Sequence, residues 1–378
     1  MNSLIITLIV VLVLAVFLII FRISNLAGIL RSKSKDKEEI DTTANNINAY
    51  LFLLIPLIGT IAAFWYAGKH ATLWGQPDAA SHGAAYDSLS KIAHIVVILM
   101  FLITNAALFY FTFKYRHKKG NKATFYPDNL KLEIVWTIVP AIILTVLVFA
   151  GWKLWRDVTK EAPSNAMLVE LMGKQFNWIA RYPGGDNKLG GFNFRYTDDV
   201  NEMGLNFLDK NVNDDFQATE LHLVKGKPVR IQIRARDVLH SVSFPHFRQK
   251  MDAVPGQPTR MWFTPTKTTE EMREELRRNP EYLKPDPSTT KGKPEDVKAR
   301  WETFDYELVC QEICGRGHFS MRMRVIVHDE DDYKKWLAAQ KPFVETNKEY
   351  VAKKIESITK DKVGKVSMED GKKVNKVN

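Results

Sequence analysis

At 378 residues, with 46% hydrophobic and 25% charged residues, the chain is long enough for two or three folding units. Its formal net charge of +10 makes no case for a nucleic-acid partner, because much of the excess lies in loops beside apolar segments and in a lysine-rich end. No Cys-x-x-Cys-His occurs, so no cytochrome c domain is fused to it, and no plausible haem-ligating set is present.

Four apolar stretches are long enough to cross a hydrocarbon core of about 30 Å: Ser3 to Phe21, Ala49 to Trp65, Ala93 to Phe113 and Ile134 to Trp152. The first follows Met-Asn-Ser, which has no basic n-region, and no small-residue cleavage site comes after it. It therefore reads as a retained membrane helix rather than a secretory signal. Basic residues in the connections set the topology. One loop carries Lys114, Arg116, Lys118, Lys119, Lys122 and Lys131, another Arg22, Arg31, Lys33, Lys35 and Lys37, whereas the loop between the second and third stretches has Lys69 and Lys91. The two strongly basic loops belong in the cytoplasm, and everything beyond Trp155 falls on the outer side, the periplasm of a bacterial inner membrane.

The remainder is β-rich. Val229, Ile231, Ile233 and Ala235 alternate with Arg230, Gln232, Arg234 and Arg236, the period of a half-buried strand running straight into Asp237 and His240. Short runs of the same kind occur at Met167 to Met172, Gln175 to Tyr182, Glu220 to Val224, Arg260 to Thr264, Phe304 to Val309 and Met323 to Val327, which predicts a sandwich or barrel. Thr266 to Arg300 interrupts them as a charged surface insertion, with a helix start at Thr269 and breaks at Pro280, Pro285, Pro287 and Pro294. Lys341 to Asn378 reads as a solvated or partly helical tail.

The chemistry is concentrated in Cys310-Gln311-Glu312-Ile313-Cys314, which holds both cysteines of the chain, with His318 and Met321 following and His240 upstream. Taken alone, two cysteines in an exported domain could equally form a disulfide. Adding two imidazoles and a thioether favours a metal. Zinc is satisfied by two Cys and two His and gains little from methionine, whereas copper gains from it. Met323, two residues past Met321, is expected to point to the opposite face of a strand, which makes it a poor ligand candidate.

The motif Cys-x-Glu-x-Cys-Gly-x-x-His-x-x-Met, present as Cys310, Glu312, Cys314, Gly315, His318 and Met321, resembles the dinuclear copper motif of subunit II of the haem-copper cytochrome c oxidases. Asp237-Val238-Leu239-His240-Ser241 is similar to that family's upstream histidine motif. The resemblance implies a CuA centre bridged by Cys310 and Cys314, with His240, His318, Met321 and the Glu312 carbonyl as further ligands. It implies that the Glu312 carboxylate helps bind magnesium against the catalytic subunit, and that the chain relays electrons from a cytochrome c to haem in that subunit. The fold it implies is transmembrane helices followed by an all-β cupredoxin-like domain, here residues 158–340, after a hairpin at 93–157 and an extension at 1–92 that holds two extra helices. Other oxidase subunits and membrane lipids complete the implied partners.

A second match, Asn129-x-x-Leu132-Glu133-x-x-Trp136-Thr137-x-x-Pro140, resembles the family's helix-entrance sequence and makes Glu133 the candidate mouth of a proton channel. A glutamate in a first helical turn is also what the macrodipole favours. The third match is imperfect: Gly173-Lys174-Gln175-Phe176-Asn177-Trp178 has Phe176 where the family carries the tryptophan that receives electrons, which leaves Phe176 and Trp178 as candidates for that role.

Overall fold

The computed structural model describes residues 12, 15–23, 26–27, 42–70, 76–118, 120–290 and 293–360. They fall into two compact units, one of residues 1–71 with 91–145, the other of 72–90 with 146–378.

Three helices among the described residues are long and apolar enough to span a membrane: α1 (Thr42–Lys69), α2 (Gly83–Lys114) and α3 (Leu130–Thr159). Four were expected. Most of the first, Ser3 to Phe21, lies outside the described residues, and 15–23 are helical. Apolar side chains surround each span, and a helix satisfies every backbone polar group internally, as lipid requires. Within the first unit, α1 is fastened to the end of α2. The Arg116 guanidinium donates to the Asn46 side chain at 2.8 Å, the Asn45 amide to the His117 carbonyl at 2.7 Å, and the Tyr50 and Phe113 rings pack at 5.0 Å. Asn129 caps α3, its side chain accepting from the Leu132 amide at 3.1 Å, and Glu133 sits in the first turn.

The second unit holds two five-stranded sheets. Its strands are β1 (Met167–Lys174), β2 (Asn177–Tyr182), β3 (Phe216–Ala218), β4 (Leu221–Val224), β5 (Val229–Ala235), β6 (His240–Phe244), β7 (Gln249–Ala253), β8 (Thr259–Phe263), β9 (Tyr306–Cys310) and β10 (Arg322–His328). The first sheet runs β3-β2-β1-β5-β8 and the second β4-β10-β9-β6-β7. Pairs β1–β5 and β4–β10 are parallel and the remaining pairs antiparallel.

The alternation seen in the sequence points Val229, Ile231 and Ile233 into the space between the sheets, where they meet Val169, Leu171, Val242, Leu308 and Val325. The strand does not reach His240 as expected. Arg236 still donates to the Gly173 carbonyl at 2.9 Å, but the Asp237 carboxylate then accepts from the Gln175 and Val238 amides, both at 2.7 Å. Those bonds turn the chain, which crosses to the other sheet and opens β6 at His240.

The outer face of the first sheet carries buried charge. Arg181 donates to Glu170 at 3.0 Å, to the Gly190 carbonyl at 2.7 Å and to Asp215, while Arg234 donates to the other oxygen of Glu170 at 2.7 Å. Burial pushes the Asp215 carboxyl up to about 6 against the pull of Arg181.

The charged insertion is not wholly at the surface. Its helix α4 (Thr269–Leu276) starts at Thr269 as expected, is capped by Thr268 in a capping box with Glu271, and buries Met272 and Leu276 in the core. After β10 come α5 (Glu330–Ala338) and α6 (Phe343–Thr346), and residues 348–360 are helical. Phe343 and Val351 join Met172, Met203, Leu205 and Phe207 in a second small core, so the first half of the lysine-rich segment is docked. Residues 361–378 lie outside the described ones.

Candidate metal centre

Strand pairing assembles the site. Strands β6 and β9 are antiparallel with Val242 opposite Cys310, and side chains two apart share a face, so His240 and Cys310 point into the same space. Beyond Cys310 the chain leaves the sheet and returns. The Cys310 amide donates to the Met321 carbonyl at 3.0 Å, which pins the two ends of the loop together. Inside the loop, Gly315 adopts φ +134°, a conformation that other residues rarely take, and the His318 amide donates to the Gly315 carbonyl at 3.2 Å. The segment between β1 and β2 supports the loop from outside. Gln175 donates its side-chain amide to the Cys314 carbonyl at 2.5 Å, and the Phe176 ring lies so close that a Cβ on Gly317 would come within 2.5 Å of it.

Six sequence-predicted groups come together here. The Cys310 and Cys314 sulfurs are 3.9 Å apart and both thiols are free, so the alternative disulfide is not formed. His240 Nδ1 lies 3.9 Å from Cys310 Sγ, and His318 Nδ1 3.8 Å from Cys314 Sγ. Met321 Sδ lies 3.7 Å from Cys314 Sγ, and the Glu312 carbonyl oxygen 3.2 Å from Cys310 Sγ. His240, Cys310 and Cys314 place their ligand atoms within 4.8 Å of one another. Metal–sulfur bonds of about 2.3 Å let two sulfurs at this separation share an ion. The donors are pseudo-symmetric, one imidazole beside each sulfur, and they exceed what one tetrahedral ion can use. That set fits soft metal, which the two thiols, the two imidazoles and the thioether would hold. Burial first, then Cys310 beside it, pushes the Cys314 thiol up to about 11, which is the environment of a thiolate that needs a cation.

His240 is fully buried and oriented. Its Nε2–H donates to Asp237 Oδ1 at 2.8 Å, which leaves the Nδ1 lone pair for a metal. Burial works against ionisation of Asp237, but the Gln175 amide and His240 hold its carboxyl below the usual range. On the other side of the ring, Trp178 packs edge-on at 5.8 Å, and a Cβ at Gly173 would approach the imidazole to 3.0 Å. Asp237 as orienter, Gln175 as loop support and Gly173 as clearance were not assigned from sequence. The Asp-x-x-His spacing was the available signal for the first.

Phe176 sits over the loop, 39% exposed, whereas Trp178 is fully buried behind it. Met323 shares the inward face with Met321, contrary to expectation, because strand side chains repeat every two residues. It is removed from the site by its place further along β10, opposite Leu308 in the core. Ile313 and Phe319 project from the loop, 85% and 86% exposed. Glu133 belongs to the other unit.

The family model for the transmembrane domain of cytochrome c oxidase subunit II matches residues 69–154, and that for the periplasmic domain matches residues 167–270. The chain is similar to the alternative cytochrome c oxidase subunit 2 of Bradyrhizobium diazoefficiens, 33% identical over 297 residues that cover 78% of this chain and 92% of the relative. The cytochrome c oxidase subunit 2 of Thermostichus vulcanus is 26% identical over 306 residues, 74% of this chain and 82% of that one. A crystal structure of the periplasmic domain of subunit II of cytochrome oxidase (CoxB) of Bradyrhizobium japonicum aligns with a TM-score of 0.28 and 19% identity, over 47% of this chain and 95% of that chain.

Proposed function

Because this chain belongs to the cytochrome c oxidase subunit II family, we propose that His240, Cys310, the Glu312 carbonyl, Cys314, His318 and Met321 hold the dinuclear copper centre of the oxidase. The chain is the subunit of a respiratory haem-copper oxidase that receives electrons from a cytochrome c and passes them towards haem in the catalytic subunit. Bound copper supplies a one-electron relay. The observation that carries the ligand assignment is the pair of sulfurs 3.9 Å apart with one histidine nitrogen beside each.

The chain's own contribution is to hold these groups still. Cys310 and His240 stand on paired strands, Cys314 is gripped through its carbonyl by Gln175, and Asp237 holds the Nε2 side of His240 so that Nδ1 is turned towards the sulfurs. Ligands fixed by a packed frame move little when charge changes, which lowers the cost of electron transfer. Loading releases the thiol protons, so copper uptake weakens as pH falls. Phe176 forms the exposed contact over the loop, and Trp178 stands behind it against His240; we assign electron arrival to this pair. The exposed Glu312 carboxylate is our candidate for a magnesium shared with the catalytic subunit.

Residues 93–157 act in this reading as the membrane hairpin that docks on the catalytic subunit, and residues 1–92 as an extension against it or another subunit. Residues 158–340 form the copper domain, facing the periplasm of a bacterial inner membrane, with 341–378 as its C-terminal appendage. Full-length protein loaded with copper is expected to be purple, with the EPR hyperfine pattern of one unpaired spin shared by two copper nuclei. A colourless protein, or a spectrum of one isolated copper, would overturn the assignment.

Glu133 is the proposed proton-channel mouth. Glu133→Gln keeps the side chain's shape and the Asn129 cap, so copper content is expected to stay unchanged while proton-coupled turnover falls by about tenfold or more. Unchanged turnover would leave Glu133 with the favourable macrodipole placement alone.

A further inference from the structure

Where α3 ends, the chain folds against the outer face of the first sheet. A cavity of about 150 Å³ lies there, walled by the last turn of α3 and residues 160–162 on one side and by β5, β7 and β8 on the other. Register explains its chemistry. Arg230 pairs with Trp262 and Gln232 with Arg260 across β5 and β8, so Arg230, Arg260 and Trp262 occupy one face of the sheet as neighbours. Lys160 stands 5.8 Å from the Trp262 ring centroid, and Lys250 adds a fourth cation from β7. Glu161 is the acid in the lining, and its carboxylate reaches Arg260 at 4.0 Å, too far for a hydrogen bond.

Two further observations point to a ligand. Trp262 is nine-tenths buried, and its indole Nε1–H has no hydrogen-bond partner. A buried donor left unsatisfied costs about 1–3 kcal/mol, so it is the group an acceptor would complete. Trp155, Val158, Met251 and Met261 add apolar surface to the lining. Trp155 follows the last apolar span by three residues and is exposed, which is the place of an interfacial tryptophan.

We propose that this cavity binds the phosphodiester headgroup of an anionic phospholipid of the outer leaflet. Arg230, Arg260 and Lys160 face the phosphate, Trp262 donates to it, and the acyl chains continue along the apolar surface of α3. The volume lies below the roughly 300 Å³ at which small-molecule pockets begin, which suits one headgroup better than a metabolite. Guanidinium groups match phosphate oxygens in pairs. The inference rests on the outer-side placement of this unit and is independent of the copper ligands, so the copper spectrum can report folding while lipid is measured.

The test uses the intact oxidase, delipidated in mild detergent and titrated with phosphatidylglycerol or phosphatidylcholine under native mass spectrometry. One phosphatidylglycerol is expected to bind in preference to phosphatidylcholine. The double variant Arg230→Gln/Arg260→Gln should weaken it about thirtyfold, at the usual worth of two basic groups at an anionic membrane surface. Trp262→Phe, which keeps the ring and removes the donor, should weaken it by a smaller factor. Copper absorption should be unaltered in both. If the double variant loses that absorption, Arg260→Gln, at a 60% exposed position, carries the comparison. Unchanged phosphatidylglycerol affinity in the variants would overturn the proposal. So would displacement by equimolar inorganic phosphate, which would mark a free-anion site, or release of the catalytic subunit from the variants, which would mark a protein interface.

Discussion

Cys314→Ser is expected to abolish the shared-spin copper spectrum and to weaken copper retention by about a hundredfold or more, taking electron delivery to the catalytic subunit with it. Loss of a hydrogen-bond partner behind a ligand already costs about 10- to 100-fold in metal affinity, and here a ligand itself is lost. Cys314 sits within 4 Å of three other donors: Cys310 Sγ at 3.9 Å, His318 Nδ1 at 3.8 Å and Met321 Sδ at 3.7 Å. A serine hydroxyl is hard, smaller and protonated at neutral pH, so it cannot serve as the shared soft donor on which the arrangement depends. The fold should survive, because the loop ends remain joined through Cys310 and Met321 and the support from Gln175 is to a carbonyl. EPR and thermal unfolding of the copper-loaded variant separate the two effects. A wild-type spectrum would remove Cys314 from the ligand set.

The second large effect falls far from the metal. Arg181→Met should destabilise the β-sheet unit by about 3–5 kcal/mol, the usual cost of stranding buried charge. Arg181, Glu170 and Asp215 are all almost fully buried, and Arg181 is the cation that answers both carboxylates, with Arg234 assisting at Glu170. Methionine fills much of the volume and supplies no charge, so Asp215 is left with the Gly190 amide.

The deficit should shrink as pH falls from 7 towards about 6 and then level off. Asp215 has a folded-state value raised to about 6 even with Arg181 pulling it down, and losing the guanidinium raises it further, so the variant takes up the proton at a higher pH than the wild type and the difference stops changing once both are protonated. Both proteins must be compared at each pH, because burial also holds His222 and His246 near 4. Those two groups resist protonation when folded, so they cost stability as pH falls below their ordinary 6.5. Denaturant unfolding of the wild type and variant from pH 7 to pH 5 gives the difference. A constant deficit would show that Asp215 does not carry it.

What could be read in advance followed locality. Five of the six proposed copper ligands lie between Cys310 and Met321, where spacing alone brings them near one another. His240 was identifiable from its motif, but its route to the site was not. Val238 and Leu239 look like continuing strand, and the turn is made by a carboxylate accepting two amides, one of them 62 residues away in sequence. Strands β3, β6 and β7 were missed for a related reason. Each carries no more than two large apolar side chains, as in Gln249–Ala253, too few to stand out as an alternation. In the lysine-rich segment, charge masked Phe343 and Val351, whose burial depends on partners contributed by residues 172–207. The buried ion cluster was invisible because Arg234 alternates like any solvent-facing strand residue. Only the layer folded over that face shows that it is covered.

The backbone bond between Cys310 and Met321 makes the copper loop a closed module seated on a frame. Evolution and protein engineers can therefore change residues within the module, and so tune potential or partner, without having to reinvent the architecture that carries it.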